Sequence, residues 1–159
     1  MFIAESELFK NVGAKVLEAI AGQGEERVCG SGELAFREGD AAETFYILWG
    51  GTVELLMGDH EELCFVVSAP GEVFGWSALV EPFQYRATAR CTSEARLLGI
   101  GRDVIERVLK EHPGDGAIIF RNLAAIVTEK LRGAYQERVS DADLEGIVSA
   151  TNEWLGRPA

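Results

Sequence analysis

The chain has 159 residues and a mass of 17.3 kDa, and 47% of its residues are hydrophobic, enough for one globular domain whose core needs neither metal nor disulfide. Fifteen basic against 26 acidic residues give a formal net charge of −11, the wrong sign for a protein whose main work is on a phosphate backbone, so no direct nucleic-acid binding is expected. The opening MFIAESELFKN lacks a basic n-region and an apolar h-region, and no apolar run approaches the ~20 residues of a membrane helix, so a cytoplasmic location without membrane contact is expected.

From Glu5 to Ala21 the apolar positions Leu8, Phe9, Val12, Val16, Leu17 and Ile20 recur at helical spacing, and Gly22 and Gly24 close the segment. One amphipathic helix over 5–22 is predicted. Over 25–101 the pattern changes to short runs such as ERVC, LAFRE, TFYILW, TVELLM, LCFVV, ATARCTS and RLLGI, separated by GSG, EGD, GG, GDH and PGE. This punctuation predicts an antiparallel barrel or jelly roll.

Helical spacing returns with Val104, Ile105, Val108 and Leu109, which mark a short helix ending near His112 and Pro113. A longer helix is predicted over Ala117 to Val139, with the stripe Ile119, Leu123, Ile126, Val127, Leu131 and Ala134. Ser140 or Asp141 would cap a last helix, over 140–156, carrying Leu144, Ile147, Val148, Trp154 and Leu155. The fold class is therefore mainly β with flanking α-helices: a double-stranded β-helix, or jelly roll, with an N-terminal helix and two to three C-terminal helices. The segment after Val139 is too short for a second domain.

Within the roll, Gly71 to Ala89 reads as a strand, a sharp glycine turn, one turn of helix and a second strand with a lone arginine. Gly75 lets the backbone approach a ligand with no Cβ in the way, the amides of Trp76, Ser77 and Ala78 open a helical turn, and Arg86 supplies a charged fork. These are the parts of a pocket for one phosphate.

Helix, glycine-punctuated roll, FG turn, arginine and two helices follow in an order that resembles the cyclic-nucleotide-binding domain family, of the catabolite-activator and kinase-regulatory-subunit type. The likeness covers about Leu8 to Val139 and includes GELAFREGD, with Gly32, Gly39 and Asp40, and FYILWGGTVELL, with Gly51. The family's phosphate-binding cassette runs FGE, about ten residues, then an arginine and a small residue; the matching positions are Phe74, Gly75, Trp76, Arg86 and Ala87. The resemblance implies that Arg86 holds the phosphate, with Ser77 and Thr88 nearby, and that Lys130 and Tyr135 on the long helix could cap the pocket. It also implies a homodimer formed through the 117–139 helix, where Ile119, Leu123, Ile126 and Val127 would make the seam, and a signal passed to an unknown protein partner.

Trp76 departs from the family pattern, standing where nucleotide-binding members carry a glutamate that accepts the ribose 2′-hydroxyl. An indole donates one hydrogen bond and accepts none, so a buried ribose hydroxyl would cost about 1–3 kcal/mol, or roughly ten- to a hundredfold in affinity. Two readings stay open. Trp76 is a stacking surface for a different anion, or it plugs a cavity and leaves a ligand-free scaffold for oligomerisation or protein interaction. Arg86 in turn is either the anion's partner or a residue paired with Glu72 or Glu81.

Other chemistries find little support. A metal-dependent jelly-roll enzyme needs clustered ligands, but His60 falls in a turn and His112 at a helix end. Ser68, Ser77 and Ser93 lack a nucleophile elbow, and the pairs Glu25–Glu26 and Glu61–Glu62 send adjacent side chains apart. Cys29, Cys64 and Cys91 read as buried thiols, not a disulfide framework, and no haem ligand can be placed at the pocket mouth. The expectation is a non-enzymatic module without metal or resident cofactor, whose ligand is a cyclic nucleotide or another small anionic effector.

Overall fold

A computed structural model describes residues 3–138, with side chains described through residue 133. The chain divides into two compact units, Met1–Val127 and Thr128–Ala159. The first holds eight strands: β1 (Glu25–Cys29), β2 (Leu34–Phe36), β3 (Thr44–Gly50), β4 (Val53–Met57), β5 (Glu62–Val67), β6 (Val73–Phe74), β7 (Thr88–Cys91) and β8 (Ala95–Gly101). All the pairings are antiparallel, in two four-stranded sheets ordered β1-β8-β3-β6 and β2-β7-β4-β5. Each of the seven sequence runs lies on a strand, and the eighth strand is the two-residue β6 inside the cassette. The jelly roll is as expected.

The burial pattern shows why the sequence makes these sheets. Strand β7 alternates between partly and fully buried residues, as a strand with one face on a core should, whereas Leu97, Leu98, Gly99 and Ile100 of β8 are all buried. Strand β8 is covered on both faces. Phe45, paired with Ile100, meets Phe9 of the N-terminal segment at 6.5 Å between ring centroids, and Leu98 fills the space beside Gly24. The sheet carrying β8 is thus packed between the other sheet and a helical layer.

The N-terminal helix is shorter than its periodicity predicts. Two 3-10 turns, Ile3–Glu5 and Glu7–Phe9, precede α1 (Ala14–Ala21), and Asn11 breaks the run with φ 69°. The reason lies in long-range hydrogen bonds that a continuous helix could not make. Buried Ser6 donates from Oγ to the Gly71 carbonyl at 3.0 Å and accepts from the Leu8 N–H, and Glu7 accepts from the Val73 N–H at 3.1 Å. Gly13 N–H donates to the Asp115 carboxylate at 2.9 Å. The apolar positions Leu8, Phe9, Val12, Val16 and Ile20 are all buried, so the pattern marked a core face correctly and its continuity wrongly.

Helix α2 (Arg102–Glu111) ends at His112, and α3 (Pro113–Arg138) begins four residues before the predicted Ala117, with proline at its first position where its missing N–H costs nothing. Ile119, Leu123 and Ile126 of α3 are 0%, 4% and 6% exposed and belong to the chain's own core. This corrects the expected dimer seam: those three side chains are spent within the protomer, while Val127 and Leu131 stand exposed. Asn122 fastens the helix by donating to the Leu8 and Lys10 carbonyls at 2.9 and 2.8 Å. The helix predicted over 140–156, the chain at Val139 and the side chain of Ala134 lie outside the described residues.

Gly51, between β3 and β4, has φ 84°, and a Cβ there would lie 2.7 Å from the Ala95 Cα and closer still to the Glu94 carbonyl oxygen. Gly51→Ala should cost about 2 kcal/mol or more, read as a lowered urea midpoint. Gly58→Ala, at φ 75° with open space around it, should lose only about 1 kcal/mol.

Candidate functional site

The cassette begins where β6 pairs with β3 through Tyr46 and Phe74 and through Ile47 and Val73. Gly75 then takes φ 75°, ψ 22°, and the chain enters the 3-10 turn Trp76–Leu79. A side chain at Gly75 would put its Cβ 3.0 Å from a Phe36 ring carbon, so both the left-handed backbone and the close approach require glycine. The Ala78 N–H returns to the Gly75 carbonyl at 3.2 Å, while the N–H groups of Trp76 and Ser77 bond to no other described residue.

A loop then carries the chain to β7, held by Ala42 N–H to the Phe83 carbonyl (2.8 Å), Tyr85 N–H to Asp40 (3.0 Å) and Gly39 N–H to Tyr85 (2.9 Å). Arg86 lies in the bend that precedes β7, not on the predicted strand, and its side chain is exposed. Among the described residues it makes no ion pair or hydrogen bond. Neither suggested carboxylate neutralises it. Glu72 turns its carboxylate to the N–H groups of Ser68 and Ala69 at 2.9 and 2.8 Å, and Glu81 sits exposed.

A cavity of about 130 Å³ opens at this place, and Gly75, Trp76, Ser77, Arg86 and Ala87 line it. Phe36, Leu55, Met57, Cys64, Phe65 and Tyr85 complete the wall, none of them picked out from the sequence. The available signal was the alternation of β4 and β5, which turns Leu55 and its partner Phe65 to one side of their sheet. Trp76 lies parallel to Phe65, with centroids 5.5 Å apart and an interplanar angle of 3°. Phe74, assigned to the site, is instead fully buried core, 5.5 Å from the Tyr46 ring, and Thr88 accepts from the Glu38 N–H at 3.0 Å. Lys130 and Tyr135 fall on α3 within the second compact unit, and the side chain of Tyr135 lies outside the described residues.

Of the three cysteines, Cys29 and Cys91 are fully buried, and burial pushes the Cys29 thiol up to about 12. Such a thiol is a core hydrophobe, whereas Cys64 is half-buried on the cavity wall. A larger hollow of about 540 Å³ lies along β1, β3 and β8, but it presents Glu25, Glu26 and Asp103. Its Arg27 is committed to the Ala35 and Leu34 carbonyls and to Glu33. That hollow repels anions; the smaller cavity, where among the described residues the Arg86 guanidinium has no partner and no carboxylate lines the wall, attracts them. Among the described residues no group of three or more His, Cys, Asp or Glu is placed to hold a metal ion. Nor is any described helix long and apolar enough to cross a membrane.

One contact joins the cassette to the helices. Arg102, at the start of α2, donates to the Ala42 carbonyl at 2.8 Å and the Ala78 carbonyl at 3.4 Å, and its guanidinium lies 3.9 Å from the Phe83 ring centroid. The turn that would meet a ligand and the helix that leaves the roll therefore share one side chain.

The glycine turn and the arginine are parts of a known kind of domain: the chain belongs to the cyclic nucleotide-binding domain family, whose model matches residues 26–112. This is a family of ligand-sensing regulatory modules. The chain is 25% identical over 132 residues to the cyclic AMP receptor protein of Thermus thermophilus, covering 81% of this chain and 59% of that protein. It is 33% identical over 79 residues to the cAMP-dependent protein kinase regulatory subunit of Emericella nidulans, covering 50% of this chain and 19% of the subunit. It thus spans less than two thirds of the length of either relative. Among solved structures it is similar to the regulatory domain of Toxoplasma gondii PKA in co-crystal with cAMP, with a TM-score of 0.62, 28% identity, and coverage of 67% of this chain and 41% of that one.

Arg102→Ala removes a charged donor from two partly buried carbonyls and should cost about 1.5–3 kcal/mol, seen as a lowered melting temperature. The Tyr85 phenol donates to the Thr44 carbonyl, and burial pushes its pKa from 10.0 up to about 12. The unfolded phenol ionises first, so the native state holds more protons across that window. Stability present below pH 10 should fall between about pH 10 and 12, and Tyr85→Phe should flatten that part of the urea-midpoint profile.

Proposed function

We propose that the chain is a non-enzymatic sensor that holds a cyclic nucleotide or another small anionic effector in its cassette. The observation that carries this reading is the Arg86 guanidinium, without a partner among the described residues, on the wall of a cavity that the left-handed Gly75 turn also lines. A guanidinium placed there has an anion as its natural partner. The names of the relatives, a cyclic AMP receptor and a cAMP-dependent kinase subunit, support the same ligand class.

An effector would act by favouring one arrangement of the cassette turn over another, and can shift that balance only through its difference in affinity for the two. Arg102 gives the shift a route into α2, because the Ala78 carbonyl moves with the turn. Homodimerisation through α3 belongs to the same proposal, with exposed Val127 and Leu131 in place of the buried stripe. A protein partner that reads the helices would receive the signal.

A second reading, a ligand-free scaffold, is favoured by one fact: the Trp76 ring already stacks on Phe65 at the wall of a small cavity. Calorimetric titration with cyclic AMP, cyclic GMP and a panel of aromatic carboxylates separates the two. The sensor gives saturable heat with at least one of them, and Arg86→Ala weakens it by about 1.5–3 kcal/mol, roughly ten- to 150-fold. No heat from any anion, with an unchanged melting temperature, leaves the scaffold.

A further inference from the structure

We infer that the cassette is shaped for a single-ring aromatic monoanion of the benzoate class instead of a nucleotide. This rests on the sensor reading above and specifies its ligand. Size is the first argument. The cavity of about 130 Å³ is close to the ~150 Å³ of an apolar cavity that takes up benzene, and well below the roughly 300–1,000 Å³ of pockets for larger ligands. One ring fills this volume, whereas a base, a sugar and a phosphate together exceed it and would extend through its open side.

The wall is the second argument. Trp76 and Phe65 present parallel rings, Phe36 and Tyr85 form another stack with centroids 3.8 Å apart at 7°, and Leu55 adds aliphatic surface. The Tyr85 hydroxyl is committed to the Thr44 carbonyl, so the residue brings its ring to the cavity and not a free hydroxyl. Aromatic neighbours of this kind reward a flat apolar body by offset or edge contacts. Among the described residues no carboxylate lines the cavity, so a sugar hydroxyl would find no charged acceptor on this wall.

Charge is the third. Arg86 supplies one cation at the wall with no partner among the described residues, which matches one anionic group held by a planar fork. The rest of the chain, at −11, opposes every further negative charge on the ligand. A ligand with a single charge, such as a carboxylate or a cyclic phosphodiester, suits this balance better than a phosphomonoester with nearly two, so the choice between the first two rests on size and on the wall.

The test is a set of titrations of the full chain with benzoate, acetate, inorganic phosphate and cyclic AMP, followed by calorimetry and by indole fluorescence against a Trp76→Phe control. Benzoate should bind at least tenfold tighter than the other three, and Arg86→Gln should weaken it at least tenfold. Trp76→Glu, which installs a carboxylate acceptor, should reverse the order, raising cyclic AMP affinity and lowering benzoate affinity by tenfold or more each. Circular dichroism melts of each variant confirm that the fold persists, as expected for an exposed and a half-buried position. Tighter binding of cyclic AMP than of benzoate by the unmodified chain overturns this inference and leaves the sensor intact. Benzoate binding that Arg86→Gln leaves unchanged also overturns it, and so does no binding by any of the four, whereas the sensor reading falls only if cyclic GMP and the wider carboxylate panel give no heat either.

Discussion

Phe36 meets three aromatic rings and one glycine at once. Its ring stacks on Tyr85 at 3.8 Å, lies 6.1 Å from both Tyr46 and Phe74, and closes against the bare Cα of Gly75. Because Phe36 sits on one sheet, Tyr46 and Phe74 on the other, and Tyr85 on the loop leading to β7, this single side chain sets the distance between layers where the cassette opens. The cavity is what remains beside it. A smaller residue at Phe36 would free the loop that carries Arg86, and a larger one at Gly75 would push the two sheets apart.

The charge arrangement follows from the same geometry. A protein with a strong negative balance keeps at the cavity one guanidinium that pairs with none of the described residues and spends others elsewhere: Arg27 on carbonyls at a sheet edge, Arg90 on Glu54 and Glu61, and Arg102 on the cassette turn and Phe83. In the proposed sensor, Arg102 is the more consequential of these for passing a signal. A movement of the Trp76–Leu79 turn changes the bond to the Ala78 carbonyl, and α2 begins at the residue that makes that bond.

Much of the fold could be read in advance. The strand runs are short, alternating and bounded by glycines that the backbone needs: Gly32, Gly39 and Gly51 all have positive φ, as a roll with tight corners demands. The N-terminal segment was harder, because its apolar spacing fits a helix while Ser6, Glu7 and Gly13 answer to partners 65, 66 and 102 residues away. The α3 stripe was ambiguous for a related reason. An apolar face on a helix is the same pattern whether a partner or its own domain covers it, and here Ile119, Leu123 and Ile126 are covered from within.

The sequence by itself determined the architecture, the glycine turn and the single arginine, since these depend on local backbone freedom, periodicity and residue type. It also marked Trp76 as the departure from the family's nucleotide site. Only the tertiary structure decided what surrounds those residues: that Arg86 has no carboxylate partner among the described residues, that Trp76 stacks on Phe65, and that the cavity is the size of one ring. Those properties arise from strands far apart in the chain, and their packing sets the distances and the volume that no local pattern encodes.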